Sequence, residues 1–277
     1  MADQKTRRDE NFPVGSLLIP LDLRADVHAY YKYARIADDI ADSPDTDATE
    51  KITRLDALGA ALRGNNDNLA LNDEEQEAVK NLRHCMVKRS LDPSLATDLL
   101  EAFRQDATNT PCRTWADLIN YCQFSACPVG RFLLSLHDEQ DGRAESDALC
   151  SALQILNHIQ DASEDWIALK RVYMPSDWMN ADATSCNDLN APTVSSGLRL
   201  TFDRLLENTD KLLETASPLP RLIKRRGLAI EATLCIALAR RLSRRLKRQD
   251  PIARKVSLSA TDWVYAGSAG FLRLIKP

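Results

Sequence analysis

Asn157, Asp161 and Asp165 recur every four residues in the stretch Leu153-Gln154-Ile155-Leu156-Asn157-His158-Ile159-Gln160-Asp161-Ala162-Ser163-Glu164-Asp165. On an α-helix residues four apart share a face and rise roughly 6 Å, so the three form a ladder of oxygens about 12 Å long. Leu153, Ile155, Leu156 and Ile159 surround it with apolar side chains. Unpaired carboxylates are expensive in such surroundings, so the ladder must be paired or hold a cation. A second pair, Asp38 and Asp42, also stands four apart, with Arg35 and Tyr31 one and two turns earlier. Two carboxylates on one helix facing an Asn-Asp-Asp row on another make a set of hard oxygen donors. Such donors suit Mg²⁺, and Mn²⁺ as a substitute, which bind a few carboxylates together with substrate phosphates.

These residues need long helices to position them, and the chain supplies helical patterns. It has 277 residues, 44 % of them hydrophobic, and only 9 Gly. No sustained strand alternation interrupts the helical periodicity, which predicts an all-α protein. One domain over 1–277 is expected, since no repeat or long linker divides the chain. Helices are predicted to Asp42 (capped by Asp22 or Asp26), over Asp47–Arg63, Asp73–Arg89, Pro93–Ala107, Thr114–Leu136, Asp147–Lys170, Thr193–Ser217, Leu219–Arg248 and Ser259–Leu274, with a polar irregular stretch over Asp177–Pro192. Pro128 falls inside the Thr114–Leu136 pattern and predicts a kink there. The small residues around it, Ser125, Ala126 and Gly130, leave room for a ligand or for close helix packing.

The net charge of −4 hides an asymmetry. Residues 221–255 carry twelve Lys or Arg and two acids, so that segment is +10 and the remainder −14. No aromatic interleaving or binding motif points to nucleic acid. The functional alternative to a solvated helix face is an anionic membrane surface, with Arg240, Arg241, Arg244, Arg245 and Arg248 in contact. No apolar run approaches the roughly 18 residues of a span, and the N-terminus lacks a signal-peptide core. The seven Cys form no Cys-x-x-Cys pair. Reduced thiols and a cytoplasmic location, peripheral at the inner membrane, are the expectation.

The two aspartate patterns resemble those of the squalene and phytoene synthases, and the resemblance runs from Glu10 to about Lys255. Asp38-Asp39-Ile40-Ala41-Asp42 is similar to the first Asp-x-x-x-Asp motif of that family, and Asn157 through Asp165 to its second. Tyr31 and Arg35 stand where the family keeps a Tyr and an Arg, Gln154 where it keeps a Gln, and Tyr121 in its Tyr-containing helix. Three stretches, Glu10–Ser16, Leu153–His158 and Arg171–Pro175, resemble most the bacterial hydroxysqualene synthase branch of hopanoid pathways.

The resemblance implies an isoprenoid-synthase-type helical bundle with a central cavity. It implies Mg²⁺ on Asp38, Asp42, Asn157, Asp161 and Asp165, and a prenyl diphosphate substrate, either presqualene diphosphate or farnesyl diphosphate. Arg35 and Arg171 would hold diphosphate oxygens, Tyr31 and Tyr173 would donate to them, and Tyr121 would face the carbocation. Asn11, Phe12 and Ser16 would close one end of the pocket. In this branch presqualene diphosphate yields hydroxysqualene by water capture, with no NADPH, between a pathway enzyme that makes presqualene diphosphate and one that reduces hydroxysqualene. Rival enzymes are presqualene diphosphate, squalene, phytoene and dehydrosqualene synthases, which condense two prenyl diphosphates. A helical binding protein that kept the fold is the rival without catalysis. Two stretches depart from the family pattern: Gly227–Ala237 lacks the aromatics the family often carries, and Ser125–Gly130 replaces its usual kink sequence. Both bear on chain length and cation fate. Among the remaining residues, His28 and His158 read as ordinary surface or core histidines, Asp39 as a neighbour of the ligands, and Glu164 as solvated.

Overall fold

The computed structural model describes residues 18–65 and 71–275, with side chains as far as residue 270. Asn11, Phe12 and Ser16 lie outside the described residues. The described elements are helical, with no strand among them: α1 (Leu21–Asp42), α2 (Ala48–Arg63), α3 (Asp73–Arg89), α4 (Ser94–Thr97), α5 (Leu99–Ala107), α6 (Trp115–Ser125), α7 (Cys127–Leu136), α8 (Arg143–Gln160), α9 (Ala162–Leu169), α10 (Ser176–Ala181), a 3₁₀ turn (Cys186–Asn190), α11 (Ser196–Ala216), α12 (Leu219–Leu222), α13 (Arg226–Leu246) and α14 (Ala260–Ile275). No helix among the described residues is long and apolar enough to cross a membrane.

Local chemistry explains several of the helix ends. Asp47 accepts from the Glu50 amide at the start of α2, and Gly64, left-handed at φ 99°, closes it. At α3 the capping box is Asn72 with Glu75, one residue earlier than the Asp73–Gln76 pairing expected from sequence. Thr114 and Asp117 form the predicted box at α6. α1 begins at Leu21 behind Pro20 with no side-chain cap. Neither Asp22 nor Asp26 caps it; Asp26 is buried and pairs with Arg89 at 2.9 Å.

Four expected long elements are divided. Pro93–Ala107 is split at Asp98, and Leu219–Arg248 is split between Leu222 and Arg226. The proline-bearing helix breaks at Ala126, which leaves Pro128 in the first turn of α7, where its missing N–H costs nothing. Asp147–Lys170 breaks at Asp161, a residue with neither Pro nor Gly beside it. The Asp177–Pro192 stretch holds α10 and the 3₁₀ turn rather than irregular chain.

Packing falls into two hydrophobic clusters. One gathers α1, α2, α3, α4 and α5 with Phe132 and Leu136 of α7. The other gathers α6, α8, α11 and α13 with Leu134 of α7. Leu133 packs against both. α7 is held tightly to α8: a Cβ built on Gly130 would lie 2.4 Å from Ser146 Oγ and 2.7 Å from Cys150 Sγ. Close helix packing therefore accounts for Gly130. All seven cysteines are free thiols.

Candidate active site

The first aspartate motif occupies the last turn and a half of α1. That helix is fixed by fully buried Tyr33, Ala37 and Ala41, which leaves Tyr31, Arg35, Asp38 and Asp42 partly accessible on another face. Arg35 donates from Nη1 to Asp38 Oδ2 at 2.7 Å and from Nη2 to Asp39 Oδ1 at 3.0 Å. Asp39 points outward and is 57 % exposed, so it steadies Arg35 and takes no part in the interior. Asp38 is half-buried, with 34 % of its side chain exposed. Burial pushes its carboxyl up to about 7, Asp42 adds to that, and Arg35 opposes it.

The second motif bends where α8 meets α9. Helix-type bonds survive on either side of the bend, from the Asp161 amide to the Asn157 carbonyl at 2.9 Å and from the Asp165 amide to the Asp161 carbonyl at 2.8 Å. The ladder spacing is thus kept through a change of direction. Asp165 lies in the first turn of α9, where the helix dipole favours a negative charge. Lys255, from the chain beyond α13, places Nζ 2.6 Å from Asp161 Oδ1 and 3.3 Å from Glu164 Oε2. Glu164 is therefore ion-paired rather than merely solvated. The Gln160 side chain donates to the Val256 carbonyl and pins this segment beside the motif.

Arg171 joins the two motifs. Its amide donates to the Asp165 carbonyl at 3.3 Å. Its guanidinium pairs with Asp42 through Nη1 and donates to the Ala41 carbonyl at 2.9 Å through Nη2. The side chain is 8 % exposed. One buried fork thus touches the end of α1 while its own backbone is bonded to α9. Tyr173, two residues on, gives its hydroxyl to Asp106 Oδ1 at 2.9 Å, and Tyr121 gives its hydroxyl to Asp106 Oδ2 at 2.9 Å. Burial pushes the Asp106 carboxyl up to about 6, against the pull of Arg171 and the two hydroxyls.

An aromatic wall continues from Tyr173. His158 stacks on it with centroids 3.7 Å apart and planes 18° apart, and Tyr121 lies 5.1 Å from Tyr173 and 5.8 Å from His158. Burial holds His158 neutral by pushing its pKa down to about 3. Gln154 Nε2 is 3.2 Å from His158 Nε2. A cleft of about 770 Å³ opens over Asp106, Tyr121, Arg171 and Tyr173, with Trp166 and Lys170 among its lining. That volume is in the range of small-molecule sites. None of Asp38, Asp42, Asn157, Asp161 and Asp165 lines this outer cleft, whereas Arg171, which pairs with Asp42, does.

Among the described residues no three His, Cys, Asp or Glu side chains are gathered closely enough to hold an ion by themselves. The donors instead stand in two groups, Asp38 with Asp42 and Asn157 with Asp161 and Asp165. All are hard oxygen ligands, and part of their charge is met by Arg35, Arg171 and Lys255. This donor set fits Mg²⁺ bound by one or two carboxylates with the remaining oxygens coming from a phosphate and water.

Sequence reasoning missed three of these residues. Asp106 carried a signal: Leu99, Ala102 and Asp106 fall on one helical face, which α5 buries, so an acid there needed partners. His158 is spaced one residue from Asn157, and only the packing of Tyr173 shows what it touches. Lys255 is 94 positions from Asp161 and carried no local signal.

A model of the squalene/phytoene synthase family matches residues 5–262. The chain is 40 % identical over 263 residues to a protein of Rhodopseudomonas palustris named hydroxysqualene synthase, covering 95 % of this chain and 88 % of that one. It is 28 % identical over 275 residues to a phytoene synthase of Mycobacterium tuberculosis, covering 91 % and 87 %. Among solved structures, squalene synthase HpnC from Alicyclobacillus acidocaldarius superposes with a TM-score of 0.75 at 30 % identity over 88 % of this chain and 90 % of that one. A dehydrosqualene synthase at 20 % identity shares the fold with a TM-score of 0.76, over 98 % and 94 %. The fold is that of the isoprenoid synthases, and the chain belongs to the squalene/phytoene synthase family of enzymes.

Proposed function

We propose that this enzyme ionises presqualene diphosphate and delivers the rearranged cation to water, giving hydroxysqualene and diphosphate. The observation that carries a diphosphate-ionising site is the Arg171 fork, bonded at once to Asp42, the Ala41 carbonyl and, through its amide, the Asp165 carbonyl. The relative named hydroxysqualene synthase, at 40 % identity, supports this branch of the family.

In this reading one domain spans the chain. Asp38, Asp42, Asn157, Asp161 and Asp165 hold Mg²⁺, which when bound neutralises charge on the departing diphosphate. Arg35 and Arg171, with Tyr31, present fixed donors to diphosphate oxygens in a water-poor site. The carbon–oxygen bond breaks with its electron pair leaving on diphosphate. The cyclopropylcarbinyl cation rearranges against the wall of Tyr121, Tyr173 and His158. Water then forms the new carbon–oxygen bond and loses a proton. No electron donor is required, so no NADPH enters. The enzyme would work in the cytoplasm at the inner membrane, between a source of presqualene diphosphate and a reductase for hydroxysqualene.

The test is incubation with Mg²⁺ and either presqualene diphosphate or farnesyl diphosphate, with products identified by mass spectrometry. Presqualene diphosphate should give hydroxysqualene, and EDTA, Asp38→Asn or Asp161→Asn should each abolish turnover while circular dichroism stays unchanged. Efficient conversion of farnesyl diphosphate alone to presqualene diphosphate would move the enzyme to the condensing branch.

A further inference from the structure

The basic segment is less uniform in three dimensions than in sequence. Arg241 and Arg245 converge on buried Asp262, at 2.6 and 2.7 Å. Lys247 pairs with Asp210, and Lys255 with Asp161. Arg240, Arg244 and Arg248 remain as an exposed row with four-residue spacing along and just beyond α13, and none of them forms an ion pair among the described residues. Arg244 and Arg248 direct their charge at solvent, and exposed Arg240 also donates to the Leu213 carbonyl at 3.5 Å.

Beside that row lies an apolar ridge. α14 packs against α13, and Asp262 and Ala266 face inward at 0 % exposure. The opposite side carries Trp263, Val264 and Tyr265, which are 43 %, 74 % and 51 % exposed. The other large exposed apolar residues among those described are scattered one to a helix, on α1, α3, α7, α9 and α11. Only here do three stand together. With 100° between successive residues, Val264 points straight out while Trp263 and Tyr265 lie along its two flanks. Tyr265 joins ridge to row: the Arg241 guanidinium sits 5.1 Å from its ring centroid. Tyr265, Arg240 and Arg244 line one small cleft of about 250 Å³. A second cleft of about 400 Å³ is lined by Arg244, Arg248, Arg241 and Arg245.

From these placements we propose that α14 lies flat on an anionic phospholipid surface, with Val264 inserted among the acyl chains, Trp263 and Tyr265 at headgroup level, and Arg240, Arg244 and Arg248 on the lipid phosphates. Charge complementarity selects the occupant. A second copy of this face would set two arginine rows against each other, and an apolar side chain 74 % exposed, as Val264 is, gains nothing from a phosphodiester backbone. A bilayer takes both features at once, because basic groups meet lipid phosphate and apolar ones leave water. This surface is separate from the aspartate motifs, and the proposal holds whichever prenyl diphosphate the site accepts.

The experiment is sedimentation of the full chain with vesicles of phosphatidylglycerol and phosphatidylcholine, beside vesicles of phosphatidylcholine alone. The chain should bind the anionic vesicles and lose binding as salt rises. Each of Arg240→Ser, Arg244→Ser and Arg248→Ser should weaken binding roughly fivefold, and Val264→Ser should weaken it with circular dichroism unchanged. Tryptophan emission should shift to the blue on vesicle addition, and Trp263→Phe should remove that shift. Equal binding to neutral vesicles, no binding to either, or binding untouched by these variants would overturn the proposal. So would tight binding of a single-stranded oligonucleotide with no vesicle binding, or a dimer in solution that Val264→Ser dissolves.

Discussion

Arg171 donates to Asp42 and to the Ala41 carbonyl from different guanidinium nitrogens, so a point charge cannot replace it. Lysine would keep the charge and lose the fork. Arg171→Lys is expected to lower kcat/KM by about a hundredfold, or roughly 3 kcal/mol, in steady-state assays, with helical content retained. A variant as active as the parent would mean that charge alone suffices there. Asp106 makes a different prediction. Its folded pKa, about 6, lies above the roughly 3.9 of an unfolded aspartate. Its contribution to stability is therefore full below about pH 4 and is lost as pH rises through 6. Relative to Asp106→Asn, the parent should lose about 2–3 kcal/mol of unfolding free energy between pH 4 and pH 7. Parallel urea-denaturation curves across that range would show that Asp106 ionises alike in both states. In sequence the five metal-ligand candidates are legible because an every-fourth-residue row of oxygens is a local pattern. For Asp106 the buried face of α5 says that partners are needed but not that Tyr121, 15 positions on, is one of them, and for Lys255, 94 positions from Asp161, spacing says nothing.

At the scale of elements, helical periodicity locates the helices, while their breaks follow other causes. The break at Ala126 is announced by Pro128 two residues later, since proline belongs in a first turn. The break at Asp161 has no proline or glycine to announce it. It is set by tertiary partners, and its effect is to let α9 leave the axis of α8 while the oxygen row continues. α7 and α8 leave no slack on the other side of the site. Gly130→Ala should push Ser146 and Cys150 apart from α7 and destabilise the fold by about 1–3 kcal/mol, read as a fall of several degrees in Tm. Gly267 supplies the contrast within the same fold. A Cβ there meets nothing within 4 Å, and it lies inside α14. Gly267→Ala should raise local stability by up to about 1 kcal/mol through helix propensity alone, seen as slower hydrogen exchange in α14. Equal falls in both variants would remove the packing explanation for Gly130.

For the whole molecule, the decisive arrangement is that the two aspartate motifs belong to different packed groups. α1 is part of one hydrophobic cluster and α8 of the other. Arg171 ties them at one place, through Asp42 and the Ala41 carbonyl on α1 and the Asp165 carbonyl on α9. A site between two packed groups can exclude bulk water without closing a lid, which a long-lived carbocation needs. The same site must admit a single water if hydroxysqualene is the product. Neutral His158, stacked on Tyr173, and Gln154, whose Nε2 lies 3.2 Å from the His158 Nε2, place polar atoms beside that wall. Of the polar residues along α6, the Tyr121 hydroxyl is already given to Asp106 and Gln123 accepts from Arg131, which leaves Ser125. Carried out in ¹⁸O-labelled water with presqualene diphosphate, the reaction should place ¹⁸O in the alcohol, and added NADPH should change neither rate nor product. Retention of unlabelled oxygen would mean that diphosphate oxygen returns to the carbon and that water never reaches the cation. Squalene formed only with NADPH would mean that hydride, not water, ends the rearrangement.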